Sequence, residues 1–164
     1  MDMLGIYLND HLGGSTLGVE LVKRATGNNQ GTEYGATLAV LAREIEEDRD
    51  TLLRLMDELG FGKDRLKVTG GWVAEKLGRL KLNGSLVDYS PLSRLVELEG
   101  LYLGVTGKLA LWTNLRASLG DRVGDVNLVE LADRARSQGG RLEDLRSRAA
   151  AEALATARGQ PGLS

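Results

Sequence analysis

The stretch from Ser90 to Leu119 constrains the fold more than any other part of the chain. Between Glu99 and Arg116 its only ionic side chain is Lys108. Leu95, Leu98, Tyr102, Val105, Leu109 and Trp112 are separated by alternating steps of three and four, which puts them on one stripe of a helix. Leu92, Val96, Leu103 and Ala110 form a second stripe that faces a different neighbour. A helix apolar on more than one face belongs in the middle of a bundle. Ser90 is placed to cap its first turn, and Pro91 suits the first helical position. Gly100, Gly104 and Gly107 lower helix propensity, and their spacing predicts the close approach of another backbone.

The rest of the composition agrees with a helical protein. Two prolines, few aromatics and many Leu, Ala, Arg and Glu leave little for a sheet. At 164 residues one domain is expected, over residues 1–158, with a frayed tail at 159–164. Lys and Arg number 21 against 23 Asp and Glu, a balance with no global pull toward nucleic acid or an anionic membrane. Cysteine is absent, so disulfides, thiolate metal sites and cysteine nucleophiles are excluded together. The first residues, MDMLGIYLNDHL, lack the basic start of a signal peptide, and no run reaches the roughly 18 apolar residues of a membrane span. A soluble cytoplasmic protein is expected.

Four further helices are predicted. Helix A, about Leu4 to Thr26, has the inward stripe Leu4, Leu8, His11, Ser15, Gly18, Val22 and Ala25, polar or small in the middle where a core would take Leu or Ile. Helix B, about Thr32 to Leu59, carries the cleanest heptad, Leu38, Leu41, Ile45, Asp48, Leu52, Leu55 and Leu59, with Asp48 as its one wrong member. Helix C, roughly Lys63 to Leu82, is short and basic. It lacks stacking aromatics apart from Trp72, so no nucleic-acid site is read from it. Helix E opens on Asn127, with Glu130 completing a variant capping box, and follows Leu128, Leu131, Ala135, Gln138, Leu142, Leu145 and Ala149. Gly139-Gly140 predicts a kink or break in it.

A and B are joined by a short turn, and so are the Ser90–Leu119 helix (helix D) and E. Each pair is expected to be antiparallel, with a long crossover holding helix C between them. In this layout the chain resembles a ferritin-like four-helix bundle: all-α, two antiparallel hairpins and an extra short helix in the crossover. The metal-binding members of that superfamily carry a Glu on two helices and Glu-x-x-His on the other two. Here Glu44-Ile-Glu-Glu47 has no histidine, Glu143-Asp-Leu-Arg146 puts a cation at a ligand's place, and the single histidine is His11 on helix A. The resemblance therefore implies a bundle whose metal site has been lost. The segments LNDHLGGSTLGVELVKR and LVELEGLYLGVTGKLALW are also similar to uncharacterised bacterial proteins of this helical type, a likeness that implies no activity.

His11 and Asp48 are the candidate buried polar pair. A hairpin turning near Asn29 sets His11 level with Glu47, one position from Asp48, on facing stripes. Such a pair can be a structural bridge, a partly solvated pair or an acid/base couple, and the bridge is the reading adopted. Contact with Asp48 would raise the histidine's pKa above about 6.5, whereas burial alone would lower it. Glu99, with His11, Asp48 and Glu20, could form a one-histidine carboxylate site for a metal or ligand, although acids near a helix N-terminus are explained equally well by the dipole. Lys108 shares a face with Glu97, Leu101 and Gly104 and is read as snorkelling at a rim rather than forming a Schiff base. There is no P-loop, dinucleotide fingerprint or nucleophile elbow. The functional expectation is a non-enzymatic interaction or scaffold protein with no cofactor, a homodimer able to bind an unknown protein partner, through an exposed patch near Trp72 or Trp112. The alternative is a ferritin-like protein that binds a metal or small ligand around His11, Asp48 and Glu99.

Overall fold

The computed structural model describes residues 2–61 and 89–155, and these form an all-α bundle with four helices. The expected helix C, Trp72 and the tail at 159–164 lie outside the described residues. Helix α1 spans Met3–Asn28, and Asp2 opens it by accepting the Gly5 N–H at 3.0 Å. Helix α2 spans Gly35–Glu58. It starts later than the sequence predicts because Thr32 is spent on the preceding turn, donating its N–H to the Asn29 carbonyl at 3.2 Å. Gly35 is needed there, since a β-carbon at this position would lie 2.5 Å from the Asn29 carbonyl oxygen.

Helix α3 spans Pro91–Leu119, with Ser90 accepting the Ser93 N–H at 3.1 Å as expected of its cap. Helix α4 spans Leu128–Ala155. Asn127 caps it by accepting the N–H groups of Val129 and Glu130 at 3.1 and 3.3 Å. The helix is continuous through Gly139-Gly140, so of the expected kink or break the break does not occur. A second correction concerns the loop before it. Arg122–Val123 (β1) and Val126–Asn127 (β2) pair as a minimal antiparallel ribbon. Gly124, at φ 57°, takes the first turn position, as a tight two-residue hairpin turn requires.

Helix α1 packs against α2 and α3, α3 against α4, and α2 touches α4. Most of the stripes read from the sequence are buried, and they form two apolar clusters rather than one. The first joins Val22, Tyr34, Leu38, Leu41, Leu98 and Leu142. The second joins Leu8, Leu55, Trp112, Leu115, Leu128 and Leu131. Each fully buried leucine stabilises the fold by about 1.5–3 kcal/mol. The first cluster is closed at its end by a polar network. Arg94 donates to Asn29 at 2.7 Å, Asn29 to the Tyr89 hydroxyl at 2.7 Å, and Tyr34 to Glu152 at 2.7 Å, with the Arg94 guanidinium 4.5 Å above the Tyr34 ring.

One expected stripe is not covered. Leu92, Val96 and Leu103 on α3 are 56%, 58% and 69% exposed among the described residues. Trp112, in contrast, is buried and offers no surface patch. No helix among the described residues is long and apolar enough to cross a membrane.

Candidate functional site

The gap between the two clusters is polar on three helices. Asp48 on α2, Lys108 on α3 and Gln138 on α4 meet there, and the carboxylate and amide are 1% and 0% exposed. The Lys108 ammonium donates to Asp48 Oδ2 and, at 2.5 Å, to Gln138 Oε1. Gln138 in turn donates to Asp48 Oδ2 at 3.0 Å and to Glu44 Oε2 at 3.1 Å. Arg134, one turn before Gln138, pairs with Asp48 Oδ1. Arg141 holds Glu44 through both of its terminal nitrogens, at 3.1 and 2.5 Å. A buried carboxylate persists only when it is paired, and Asp48 is flanked by two cations.

Burial pushes the Lys108 ammonium below lysine's ordinary pKa, and the Asp48 carboxylate opposes that push. For Glu44, burial works upward but is outweighed by the Arg141 and Gln138 hydrogen bonds, so its carboxyl sits below the ordinary value. The layer is a network of paired polar groups, with Asp48 central to it.

Beyond Tyr7, Asp10 and His11, helix α1 contributes only the small Gly14, Ser15 and Gly18 here, and a cavity of about 430 Å³ results. Its walls include Gly14 and Gly18 of α1 and Gly104 and Gly107 of α3. A β-carbon built at any of these four would meet no atom of the described residues within 4 Å. The expectation that the α3 glycines admit a second backbone is thus corrected. Among the described residues Gly100 alone of the three has a close neighbour, the Leu21 side chain at 3.1 Å, while Gly104 and Gly107 meet none within 4 Å. Ile45, Leu52, Leu101, Val105 and Leu111 make the rest of the wall largely apolar. Asp48 and Lys108 form a charged inner end. Asp10, Gly14 and Gly104 line the cavity yet are exposed, so it reaches solvent between α1 and α3.

The sequence-derived candidates are distributed unequally around this cavity. His11 and Asp48 both line it, but the partners of Asp48 are Lys108, Arg134 and Gln138. His11 is half-buried and lies edge-on to the Tyr7 ring, 4.6 Å between centroids. Burial lowers its pKa, with Asp10 opposing, which is the opposite direction to the one a contact with Asp48 would give. Glu99 and Glu20 are exposed, and among the described residues no group of three His, Cys, Asp or Glu side chains could hold a metal ion. The inward acid of α3 is Glu97, which accepts from Arg24 at 2.7 Å and from Tyr89 at 3.0 Å. Lys108 does not snorkel at a rim; its side chain is 12% exposed and its ammonium is inside.

Sequence reasoning did not assemble Gln138, Arg134 and Lys108 around Asp48. The signal for Gln138 was its place in an otherwise apolar stripe, as for Asp48. A further feature has no sequence signal at all: Trp112 lines the cavity, is 1% exposed, and its indole N–H has no acceptor among the described residues.

Comparison with known proteins returned nothing similar: no family model, no curated protein and no solved structure matches the chain. The site has to be read from its own chemistry.

Proposed function

We propose that the protein binds a small, largely apolar molecule in the cavity between α1, α2 and α3, without acting on it. The observation that carries this reading is the four glycines. Each costs about 1 kcal/mol of helix stability relative to alanine. No close packing by the described residues at Gly14, Gly18, Gly104 or Gly107 offsets that cost, because none of their atoms lies beside these positions. What the glycines do is keep open a path to an apolar cavity with one polar end, the usual form of a small-molecule site. This keeps the small-ligand half of the alternative expectation, with His11 and Asp48 on the cavity wall beside Lys108 and Trp112 and with Glu99 and Glu20 outside it.

The bundle around the site is best described as ferritin-like, with two antiparallel hairpins. Contacts support that arrangement. Tyr7, Leu21 and Arg24 of α1 meet Asn114, Gly100 and Glu97 of α3, one number rising as the other falls. Arg94 and Lys108 of α3 meet Glu152 and Gln138 of α4 in the same reversed order. Six residues connect α1 to α2, which favours reversal there too.

The test is titration with N-phenyl-1-naphthylamine, a neutral apolar fluorophore. Saturable binding at one site per chain is expected, and Gly104→Leu, which places a side chain in the opening, should abolish it. Absence of saturable binding, or equal binding by Gly104→Leu, would contradict the reading.

A second reading, a homodimer, is favoured by the exposed face of α3. Val96, Leu103 and Ala110 recur every seven residues, and a seven-residue apolar repeat suits a straight seam against the same helix of a second copy. Sedimentation of the wild type and of Leu103→Glu decides it; a monomer at high micromolar wild-type concentration would dispose of the dimer.

A further inference from the structure

Resting on that ligand-binding reading, we infer that the ligand is an apolar aldehyde, which condenses reversibly with Lys108 Nζ to an iminium whose counter-ion is Asp48. Placement is the first ground. Lys108 and Asp48 both line the cavity, so the contact between Nζ and Oδ2 belongs to its inner end. Helical side chains lean toward the helix N-terminus, and one turn back from Lys108 stands Gly104, which has no side chain to screen the lysine stem from the cavity. Lys108 is the only primary amine on the wall among the described residues. Of its three N–H groups, two go to Asp48 and Gln138. The third has no acceptor among the described residues and is available to the oxygen of an incoming carbonyl. The other hydroxyl nucleophile deep in the wall, Ser15, is committed to the Leu12 carbonyl at 2.8 Å.

The charge around the amine suits a neutral head group. Lys108 and Arg134 are balanced by Asp48 and Glu47, and Arg141 by Glu44. Condensation keeps that balance, because one cation, the ammonium, becomes another, the iminium. Attack on a carbonyl needs the free amine, and burial favours it by lowering the lysine's pKa against the pull of Asp48. The ammonium passes one proton to Asp48 Oδ2, the atom it already contacts, and the freed lone pair forms a bond to the carbonyl carbon while the C=O π pair moves to oxygen. The nitrogen passes a second proton to that oxygen and Asp48 returns the first, so the oxygen leaves as water while the nitrogen lone pair closes the C=N bond. One N–H remains, and Asp48 Oδ2 is its acceptor. Gln138 still holds Asp48 and Glu44 through its amide nitrogen. Hydrolysis runs the same steps backward and returns the aldehyde unchanged, so the site retains its ligand and does not convert it. Ile45, Leu52, Leu101, Val105 and Leu111 receive the alkyl or aryl tail.

Reductive trapping of the full chain at neutral pH with decanal and sodium cyanoborohydride tests this. The reagent reduces an imine to a stable secondary amine, and peptide mass mapping locates it. One decyl group per chain is expected at Lys108, formed about tenfold or more faster than at the exposed Lys23, as binding beside a desolvated amine should give. Excess N-phenyl-1-naphthylamine should slow decylation at Lys108 and not at Lys23. Gly104→Leu, which leaves the lysine itself unaltered, should do the same. Decylation at Lys108 no faster than at Lys23, or a rate at Lys108 unchanged by the fluorophore or by Gly104→Leu, would overturn the inference, while saturable fluorophore binding would leave the ligand-binding reading intact. Failure of fluorophore binding and of selective decylation together would overturn both.

Discussion

Replacing the cavity glycines by alanine should stabilise the protein. Helix interiors favour alanine over glycine by about 0.8–1.0 kcal/mol, and that gain is realised only where the new methyl fits. At Gly14, Gly18, Gly104 and Gly107 it meets no heavy atom of the described residues within 4 Å, so none of them opposes the gain. The four glycines line one cavity and stand in pairs one helical turn apart, so the changes should sum to at most about 3–4 kcal/mol, or roughly 10 °C in Tm for a chain of this size. Gly35→Ala is the internal control, because its methyl would lie 2.5 Å from a backbone oxygen. It should cost about 1–3 kcal/mol. Urea unfolding followed by circular dichroism measures all five variants. The quadruple variant should also bind N-phenyl-1-naphthylamine more weakly, since its methyls narrow the opening. Destabilisation by Gly104→Ala or Gly107→Ala would refute the reasoning, for it would mean that these positions are packed.

The polar layer makes a second prediction. Asp48→Asn leaves Lys108 buried without its counter-ion and should cost about 3–5 kcal/mol, whereas the combined Asp48→Leu, Lys108→Met and Gln138→Leu protein should be near neutral in denaturant melts. For His11, the folded pKa lies below the unfolded value of 6.5, so the unfolded chain takes up the proton first. Stability is therefore full above pH 6.5 and falls as the pH drops toward the folded pKa, and an NMR titration of the only histidine should show a midpoint below 6.5. At the alkaline end, burial raises both Tyr34 and Tyr89 to about 12, with hydrogen bonding to Glu152 adding for Tyr34 and the Glu97 charge adding for Tyr89. Their contribution is complete below pH 10 and is lost as the pH rises toward 12, which phenolate absorbance monitored alongside unfolding will show.

The helices were legible because their signals are local. Ser90 with Pro91, the Asn127 cap and the heptad from Leu38 to Leu55 each specify an element without reference to the rest of the chain. The ribbon at 122–127 was not legible, since two-residue strands carry no alternation to detect. Asp48 was visible as a charge inside an apolar stripe, yet its partner was not. Counting across the short α1–α2 turn pointed to His11, the residue that local register can reach. The true partners, Lys108, Arg134 and Gln138, come from α3 and α4, whose rotation and height relative to α2 are set by packing across a long connection. Glu99 and Glu97 show the same difficulty on one helix: both stripes of α3 look apolar, and only the neighbours decide which acid turns inward. The glycines of α3 were visible too, but a missing side chain serves a close contact and an open passage equally well in sequence.

The central claim is that a ligand enters the cavity beside Lys108. It is tested most directly by ¹⁹F NMR of protein labelled with 5-fluorotryptophan, which has two resonances, Trp72 and Trp112, assigned through Trp72→Phe. Titration with N-phenyl-1-naphthylamine should shift the Trp112 resonance in step with the fluorescence binding curve, and Gly104→Leu should suppress that shift. A Trp112 resonance that stays in place while the fluorophore saturates would contradict the account.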